Sequence, residues 1–247
     1  MSTKRFARRC LQRVGLDVKR FDPHTSESTT LARQLLRHEI DVVVDVGANT
    51  GQFVSRLREA GFLGRIVSFE ASSRAHLELT KRALRDKNWT IAPRMALGDR
   101  DGTTVLNLSG NSGSSSVLPM LPSHVSADPK SRYVGTETVD LRKLDSIGAE
   151  FVSYTDRVFL KLDVQGFEHN VIQGATQFLK RVAGIQTELS LVPLYEGTPL
   201  FHSMLAELED RGFELWDIRP AFVNPTTCRL LQLDGILFRT GPVAVDR

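Results

Sequence analysis

The chain contains 247 residues, of which 41% are hydrophobic and 25% are charged, a balance typical of a globular domain with one sizeable core. No apolar run approaches the ~20 residues of a membrane-spanning helix, and the N-terminus lacks the apolar segment of a secretory signal, so we expect a cytoplasmic protein. The two cysteines, Cys10 and Cys228, offer neither a disulfide framework nor metal-ligand spacing.

The net charge of +3 is concentrated at the N-terminus. Residues 1–20 contain seven basic side chains and one acid, so the rest of the chain carries a net charge of −3. Apolar residues follow roughly helical spacing there, at Phe6, Cys10, Leu11 and Val14. We treat residues 1–24 as a basic leader with two interpretations: a solvated or packed helix, or a peripheral contact with the inner face of an anionic membrane. The body lacks a basic patch with interleaved aromatic residues, which argues against a nucleic-acid partner.

Residues 25–247 are predicted to form one domain, which opens with an amphipathic helix at 25–38. Val42, Val43 and Val44 begin a strand at about 41–46 that we expect to be buried on both faces. A turn at 47–51 then leads into a helix. Glycines let a ligand approach the backbone, and a helix start presents unpaired N–H groups, so this unit is a predicted binding site.

Strands and helices alternate along the remainder of the chain. Strands are predicted at 65–70, 89–97, 103–108, 136–144 (ending in a short helix), 157–163, 184–189, 213–218 and 229–238, and helices at 73–86, 168–179 and 199–211. This order predicts an α/β fold, a doubly wound and mostly parallel seven-stranded sheet with helices on both faces. We expect the last strand to be antiparallel.

A segment rich in Ser, Gly and Pro, residues 109–134, interrupts the alternation. A loop of this length inside a compact domain is usually functional or disordered. We predict that it is a mobile cover over the binding site, with a solvent-exposed spacer as the alternative.

Four acids stand at the ends of predicted strands: Asp45, Glu70, Asp163 and Glu188. The carboxyl ends of strands in an open α/β sheet form the ligand-binding edge. Glu70 follows the turn by 19 residues, a position suited to the ribose of either a dinucleotide or S-adenosylmethionine. The turn has two glycines instead of the dinucleotide pattern, and Asp45 would repel a pyrophosphate. The sequence therefore favours S-adenosylmethionine, with an NAD(P)-dependent Rossmann-type oxidoreductase as the alternative.

At this point the chain resembles a known family, the FkbM family of S-adenosylmethionine-dependent methyltransferases. The resemblance covers roughly residues 30–200. It rests on the turn from Asp45 to Gly51, on Glu70, on residues 96–99, on the block at 160–168, and on Gly174 with Ala175. Gln165 stands where the family most often has Glu. The resemblance implies methylation of a hydroxyl group, and the chain looks closest to the sugar O-methyltransferases of glycolipid assembly, so the implied partner is a small-molecule or glycolipid acceptor.

The resemblance also implies roles for individual residues. Glu70, with Ala71 beside it, would hold the ribose, Ala96 and Leu97 would flank the adenine, and Asp163 would lie near the sulfonium and the acceptor. Ser115 and Ser116 would close over the cofactor. The methionine portion would be held by Asp45, Gly47, Ala48, Asn49 and Gly51.

A sugar hydroxyl becomes a good nucleophile only as its proton is removed, so a general base is expected. The candidates are Asp163, Glu168, His169, Glu188 and, from the covering segment, His124. Four of them have another interpretation: His169 as a helix-surface residue, Glu168 as a complement to the helix dipole, and Asp163 with Glu188 as ordinary hydrogen-bonded structure. That pair would also suit a divalent cation, although no metal ligand is assigned. Tyr195 and Trp216 are candidates to stack on a sugar, or to pack in the core.

Overall fold

The computed structural model describes residues 11–13, 15, 16, 22 and 26–241. Most of the leader at 1–24, including Phe6, Cys10 and Val14 of its amphipathic pattern, lies outside the described residues, so its membrane interpretation stays a prediction. Within the described part, no helix is long and apolar enough to span a bilayer.

The elements between residues 26 and 241 follow the predicted alternation closely. The helices are α1 (Glu27–Arg37), α2 (Gln52–Glu59), α3 (Ser73–Ala83), α4 (Pro122–Ala127), α5 (Leu144–Ile147), α6 (Glu168–Gln173) and α7 (Phe201–Asp210). The strands are β1 (Val42–Val46), β2 (Arg65–Phe69), β3 (Trp89–Ile91), β4 (Ala96–Leu97), β5 (Gly102–Ser109), β6 (Tyr133–Arg142), β7 (Val158–Leu162), β8 (Val182–Ser190), β9 (Phe213–Val223) and β10 (Leu230–Arg239).

Seven of the strands form the main sheet, in the order β3-β2-β1-β7-β8-β10-β9. The first five in this order are parallel to one another, and β10 runs antiparallel to both of its neighbours. The predicted fold class and the antiparallel last strand are therefore confirmed. The strand order reverses between β1 and β7, and open α/β sheets bind ligands beside such a switch point.

Apolar layers cover both faces of this sheet, which explains the continuous valine run of β1. Val42, Val44 and Val46 pack in a core cluster that includes residues of α6 and α7, whereas Val43 packs with residues of α1, α2 and α3 on the other face. Successive side chains of a strand point to opposite faces. A strand covered by helices on both faces must therefore be apolar at almost every position.

The predicted third strand, 89–97, was wrong as a single element. It divides into β3, which joins the main sheet, and β4, which joins a second sheet of order β4-β6-β5. Pro93 lies between them and has no N–H to donate to a ladder, so pairing with β2 stops after Ile91. The second sheet carries the segment 109–134, which includes α4 and a 3-10 turn at Pro129–Ser131. The predicted helix at 168–179 is likewise shorter, because α6 ends at Gln173 and a separate 3-10 turn follows at Phe178–Arg181.

Candidate active site

A cavity of about 340 Å³ lies at the carboxyl edge of the main sheet, beside the ends of β1 and β7. The second sheet and the segment 109–134 form its opposite wall. The structure brings together here most of the residues that the sequence assigned. Those that line the cavity are Gly47, Ala48, Asn49, Glu70, Ala71, Ala96, Leu97, Ser115, Ser116, Asp163 and Glu188.

The turn after β1 has the close backbone approach that its glycine predicts. Gly47 has a φ of 76°, and a Cβ placed on it would lie 1.9 Å from the carbonyl oxygen of Asp163. Asn49 also has a positive φ, 48°, and its N–H donates to Glu70 Oε2 at 2.7 Å. Its own Oδ1 is buried and has no hydrogen-bond partner among the described residues. Such an atom is an acceptor that a bound ligand can satisfy.

Glu70 joins the end of β2 to this turn. Its second oxygen accepts the N–H of Ser72 at 2.7 Å, so both carboxylate oxygens are fixed by backbone donors. Burial raises the pKa of Glu70, while these two N–H groups oppose the shift by favouring the charged form. The result is a fixed acceptor on the cavity wall, with lone pairs left for hydroxyl donors.

Asp45 lies beneath the cavity and does not line it. The residue is 0% exposed, its Oδ1 lies 3.0 Å from the ammonium of Lys161, and its Oδ2 accepts from Ser68 at 3.2 Å. Its charge is therefore matched within the protein. The expectation that Asp45 faces a cationic ligand is not supported, because Lys161 occupies that place. Its role becomes one of positioning Lys161, which does line the cavity.

Gly51 is also outside the cavity wall. It forms the N-cap of α2 with a φ of 88°, and a Cβ there would lie 2.5 Å from the ring of Trp89. Position 51 requires a glycine because it caps α2 and packs against β3. Gly51 therefore contributes to the site only by fixing where α2 begins.

The turn after β7 carries the polar end of the cavity. Gln165 has a φ of 56°, and its amide Nε2 donates to Asp163 Oδ1 and to Glu188 Oε2, each at 2.9 Å. Tyr195 donates from Oη to Gln165 Oε1 at 2.9 Å, which fixes the orientation of the amide. Asp163 Oδ2 lies 3.4 Å from the ammonium of Lys161. Both oxygens of Asp163 are therefore engaged, whereas Glu188 Oε1 has no hydrogen bond within the described chain.

Glu168 supports this turn from below and does not line the cavity. Its Oε1 accepts the N–H groups of Val164 at 2.9 Å and Gly166 at 3.2 Å. Burial raises the pKa of Glu168 to about 7. The carboxyl group is 1% exposed and cannot reach an acceptor, so it is a positioning residue and is not a candidate base.

The structure does not bring the remaining candidates to the cavity. His169 on α6 points to α7, where its Nδ1 lies 2.8 Å from Glu207 Oε2. His124 is buried against Ser131, with Nδ1 at 2.9 Å from its hydroxyl. Trp216 on β9 packs its ring edge on His38, with ring centroids 4.5 Å apart. Tyr195 is buried behind Gln165 and acts on the site through that amide.

Several cavity residues were missed by sequence reasoning, and three of them are polar side chains near Asp163 and Glu188: Lys161, Gln186 and Asp234. Lys161 precedes Asp163 by two positions, and Gln186 precedes Glu188 by two. Because residues two apart along a strand project from the same face, this spacing could have indicated that both line the site. Asp234 had no such signal, because the register of the antiparallel β10 against β8 cannot be read from the sequence. No group of three or more His, Cys, Asp or Glu residues in the described part is arranged to hold a metal, so the divalent cation gains no ligand set there.

Comparison with known proteins identifies this arrangement. A model of the methyltransferase FkbM domain matches residues 45–215. The chain belongs to the FkbM methyltransferase family. It is a methyltransferase that depends on S-adenosylmethionine, and the oxidoreductase alternative is set aside.

Relatives of this FkbM methyltransferase include 2-O-methyltransferase NoeI of Sinorhizobium fredii, 28% identical over 176 residues, which are 66% of this chain and 69% of that protein. A putative O-methyltransferase from Klebsiella pneumoniae superposes with a TM-score of 0.49 at 9% identity, over 96% of this chain and 89% of that one. The magnesium protoporphyrin IX methyltransferase of Synechocystis PCC 6803, solved with bound S-adenosylmethionine, has a TM-score of 0.45 at 12% identity, over 97% and 98%. At these scores the fold assignment rests on the strand order described above.

The first prediction concerns the close approach at Gly47. Gly47→Ala should abolish measurable binding of S-adenosylhomocysteine, because its Cβ would displace the backbone of Asp163 at the floor of the cavity. Isothermal titration calorimetry measures the affinity, and thermal unfolding reports whether the variant is folded.

Gly61→Ala is the matched control. Gly61 also has a positive φ, 92°, but a Cβ there would meet no atom within 4 Å. It should lose about 1–2 kcal/mol of stability from backbone strain alone and keep its affinity for S-adenosylhomocysteine. Equal affinities for Gly47→Ala and the wild type would contradict the proposed contact.

The second prediction concerns the pH dependence of stability. The pKa of Glu168 is raised in the folded state to about 7, so the folded protein binds this proton more tightly than the unfolded chain. Its stabilising contribution is full below the unfolded pKa, near 4.5, and is lost as pH rises through about 7. Glu168→Gln keeps a carbonyl acceptor but cannot ionise, so the free energy of unfolding should fall less steeply across this interval.

Glu137→Gln provides a control of opposite sign. The pKa of Glu137 is lowered because hydrogen bonds from Ser73 favour its charged form against the effect of burial. This variant should lose stability at neutral pH and little below pH 4. Urea titrations at several pH values measure both variants, and an unchanged slope for Glu168→Gln would contradict the assignment.

Proposed function

We propose that the protein transfers a methyl group to a hydroxyl oxygen of a sugar, with Glu188 as the general base. The observation that carries this proposal is the carboxylate of Glu188 at the polar end of the cavity. One of its oxygens is fixed by Gln165, and the other is free to contact the hydroxyl of the methyl-accepting substrate. The same cavity continues to the turn after β1, so donor and acceptor would meet at its middle.

The residues of the turn fit S-adenosylmethionine. The backbone cradle at Gly47 and the unsatisfied Oδ1 of Asn49 suit the methionine portion, whose ammonium group is a hydrogen-bond donor. Glu70 would accept from the ribose hydroxyls, and Ala96 with Leu97 would flank the adenine from the second sheet. Lys161 contributes to this part of the site by donating to the carbonyl of Gly47, which holds the turn in place.

Bound in this way, S-adenosylmethionine supplies an activated methyl group, which leaves the protein to align the hydroxyl and to remove its proton. The acceptor oxygen would form a bond to the methyl carbon as the carbon–sulfur bond breaks, which would leave S-adenosylhomocysteine. Glu188 Oε1 takes the hydroxyl proton in the same step. Gln165 holds the other oxygen of Glu188 and so keeps the carboxylate pointed at the acceptor.

Glu188 is better suited to this role than Asp163. Burial, followed by the charges of Asp163 and Glu168, raises the pKa of Glu188 well above its ordinary value. A carboxylate with a raised pKa is a stronger base near neutral pH. Asp163 is held between Lys161 and Gln165, and those two contacts occupy both of its oxygens.

Two observations support the acceptor class. NoeI, a relative of this chain, is named a 2-O-methyltransferase, and the polar end of the cavity offers oxygen acceptors for hydroxyl donors. The basic leader at 1–20 supports the further proposal that the acceptor sugar belongs to a glycolipid at the inner face of a membrane.

The third prediction tests the base. Glu188→Gln should lower kcat by about 10²–10⁴-fold and leave the affinity for S-adenosylhomocysteine unchanged. The wild-type rate should rise with pH through a pKa above the ordinary glutamate value, because the base must be ionised, and this inflection should disappear in the variant. Release of S-adenosylhomocysteine with methyl glycosides of glucose, galactose and mannose, and their 6-deoxy counterparts, provides the assay.

Glu207→Gln is the matched control for this substitution. It removes the negative charge beside His169 and should leave kcat and its pH profile as in the wild type. A wild-type rate in Glu188→Gln, or a lost inflection in Glu207→Gln, would overturn the assignment of Glu188.

The fourth prediction concerns the leader. Deleting residues 1–20 removes a net charge of +6 and should weaken sedimentation with vesicles that contain 30% phosphatidylserine, because each basic residue near an anionic surface contributes about 1 kcal/mol. Vesicles of pure phosphatidylcholine are the control. Equal partitioning of the two proteins on the anionic vesicles would remove the membrane proposal and leave the methyl transfer untouched.

A further inference from the structure

Two polar side chains with no role in the proposed proton transfer line the cavity beside Glu188. Gln186 precedes Glu188 by two positions on β8, and Asp234 of β10 is paired with Glu188 in the antiparallel register. Residues two apart on a strand, and residues directly opposite on neighbouring strands, project from the same face. The three side chains therefore form one patch of the cavity wall.

Gln186 carries an unsatisfied acceptor. The residue is 7% exposed, its Nε2 donates to Asp234 Oδ2 at 3.1 Å, and its Oε1 is buried with no hydrogen-bond partner among the described residues. The donation to a carboxylate fixes which end of the amide is the oxygen. A buried carbonyl oxygen is normally paired in a native protein, so a donor from outside the chain is expected here.

Asp234 likewise keeps one oxygen for a ligand. Gln186 occupies Oδ2, and Oδ1 has no hydrogen bond within the described part of the chain. Arg219 is the residue opposite Asp234 on β9, but its guanidinium donates to Asp217 at 2.9 Å and leaves Asp234 without a direct cation. The aspartate is therefore positioned by its neighbours and free to accept from the cavity side.

The chemistry of this patch selects its ligand. Gln186 Oε1, Asp234 Oδ1 and Glu188 Oε1 are all acceptors when the two acids are ionised, and they would be satisfied by several O–H donors carried on adjacent atoms. A ligand with a single hydroxyl would reach Glu188 and leave the other two oxygens unpaired, which is costly for buried groups.

We propose that Gln186 and Asp234 form a subsite of hydrogen-bond-accepting oxygens, which binds the hydroxyl next to the one that is methylated. The substrate class is then a vicinal diol, in which one hydroxyl reacts at Glu188 and its neighbour is held by Asp234 and Gln186. This inference rests on the proposed function, because it takes Glu188 as the point of methyl transfer.

The fifth prediction uses deoxy analogues of whichever methyl glycoside the wild type methylates. Removing the hydroxyl adjacent to the reacting one should lower the wild-type kcat/KM by roughly 10–100-fold, as expected for a lost hydrogen bond to a charged group. For Asp234→Asn, kcat/KM with the parent glycoside should fall by a similar factor. Removing the adjacent hydroxyl from the substrate should then lower the kcat/KM of this variant by less than about threefold. Gln186→Met, which keeps the volume and removes the acceptor, should likewise reduce the penalty for the deoxy analogue.

Glu78→Gln is the matched control, since Glu78 lies on the exposed side of α3, pairs with Lys81 and does not line the cavity. It should keep the full wild-type penalty for the deoxy analogue. Calorimetry with S-adenosylhomocysteine on every variant separates the possible failures. A wild type that does not bind S-adenosylhomocysteine would defeat the proposed function itself.

Two other results would overturn the subsite while leaving the cofactor assignment intact. In the first, both Asp234→Asn and Gln186→Met bind S-adenosylhomocysteine normally, and their kcat/KM falls as much as that of the wild type when the adjacent hydroxyl is removed. The second is a protein that binds S-adenosylhomocysteine and methylates none of the glycosides.

Discussion

The site depends on the contacts of the buried Lys161 ammonium group. It lies 3.0 Å from Asp45 Oδ1 and 3.4 Å from Asp163 Oδ2, and it donates to the carbonyl of Gly47 at 3.2 Å. Burial alone would lower the pKa of Lys161, but the two carboxylates raise it above its ordinary value, so the group stays charged. One cation thus joins β1 to β7 at the switch point and holds the glycine turn against the start of the next turn. A buried charge is tolerated only with such partners.

The acids of the site have different roles because of their different contacts with this cation. Asp45 and Asp163 are both committed to Lys161, and Asp163 is further held by the amide of Gln165. Glu188 has no cation in direct contact, burial and the charges of Asp163 and Glu168 raise its pKa, and one of its oxygens is free. An amide at position 165 is significant here, because it donates to two carboxylates that would otherwise repel each other. A third carboxylate in its place would have no proton to donate when ionised.

Much of the fold and part of the site could be predicted from local sequence. The valines of β1, the glycine turn and the strand-end acids each follow from a periodicity or a turn preference within a few residues. Pairings across strands could not be predicted in the same way. Asp45 was interpreted as a ligand for a cationic cofactor because its partner Lys161 lies 116 positions further on, and only the β1–β7 register places the two opposite each other. Similarly, His169 appeared available for catalysis until the packing of α7 brought Glu207 against it.

The segment 109–134 shows how one residue can connect the cover to the chemistry. Ser116 donates from its hydroxyl to the backbone carbonyl of Gln165 at 2.7 Å, and Asn107 and Ser116 are paired by a β-bridge that anchors this part of the segment to β5. Tyr195, which orients the Gln165 amide, lies with its hydroxyl 3.5 Å from His124 Nε2 on α4. Both the backbone and the side chain of Gln165 are thus held from the covering side, while its amide holds Asp163 and Glu188. Displacing the segment would release the backbone of Gln165, whose amide holds the carboxylate of Glu188, so the wall of the cavity and the position of this carboxylate depend on the same contacts.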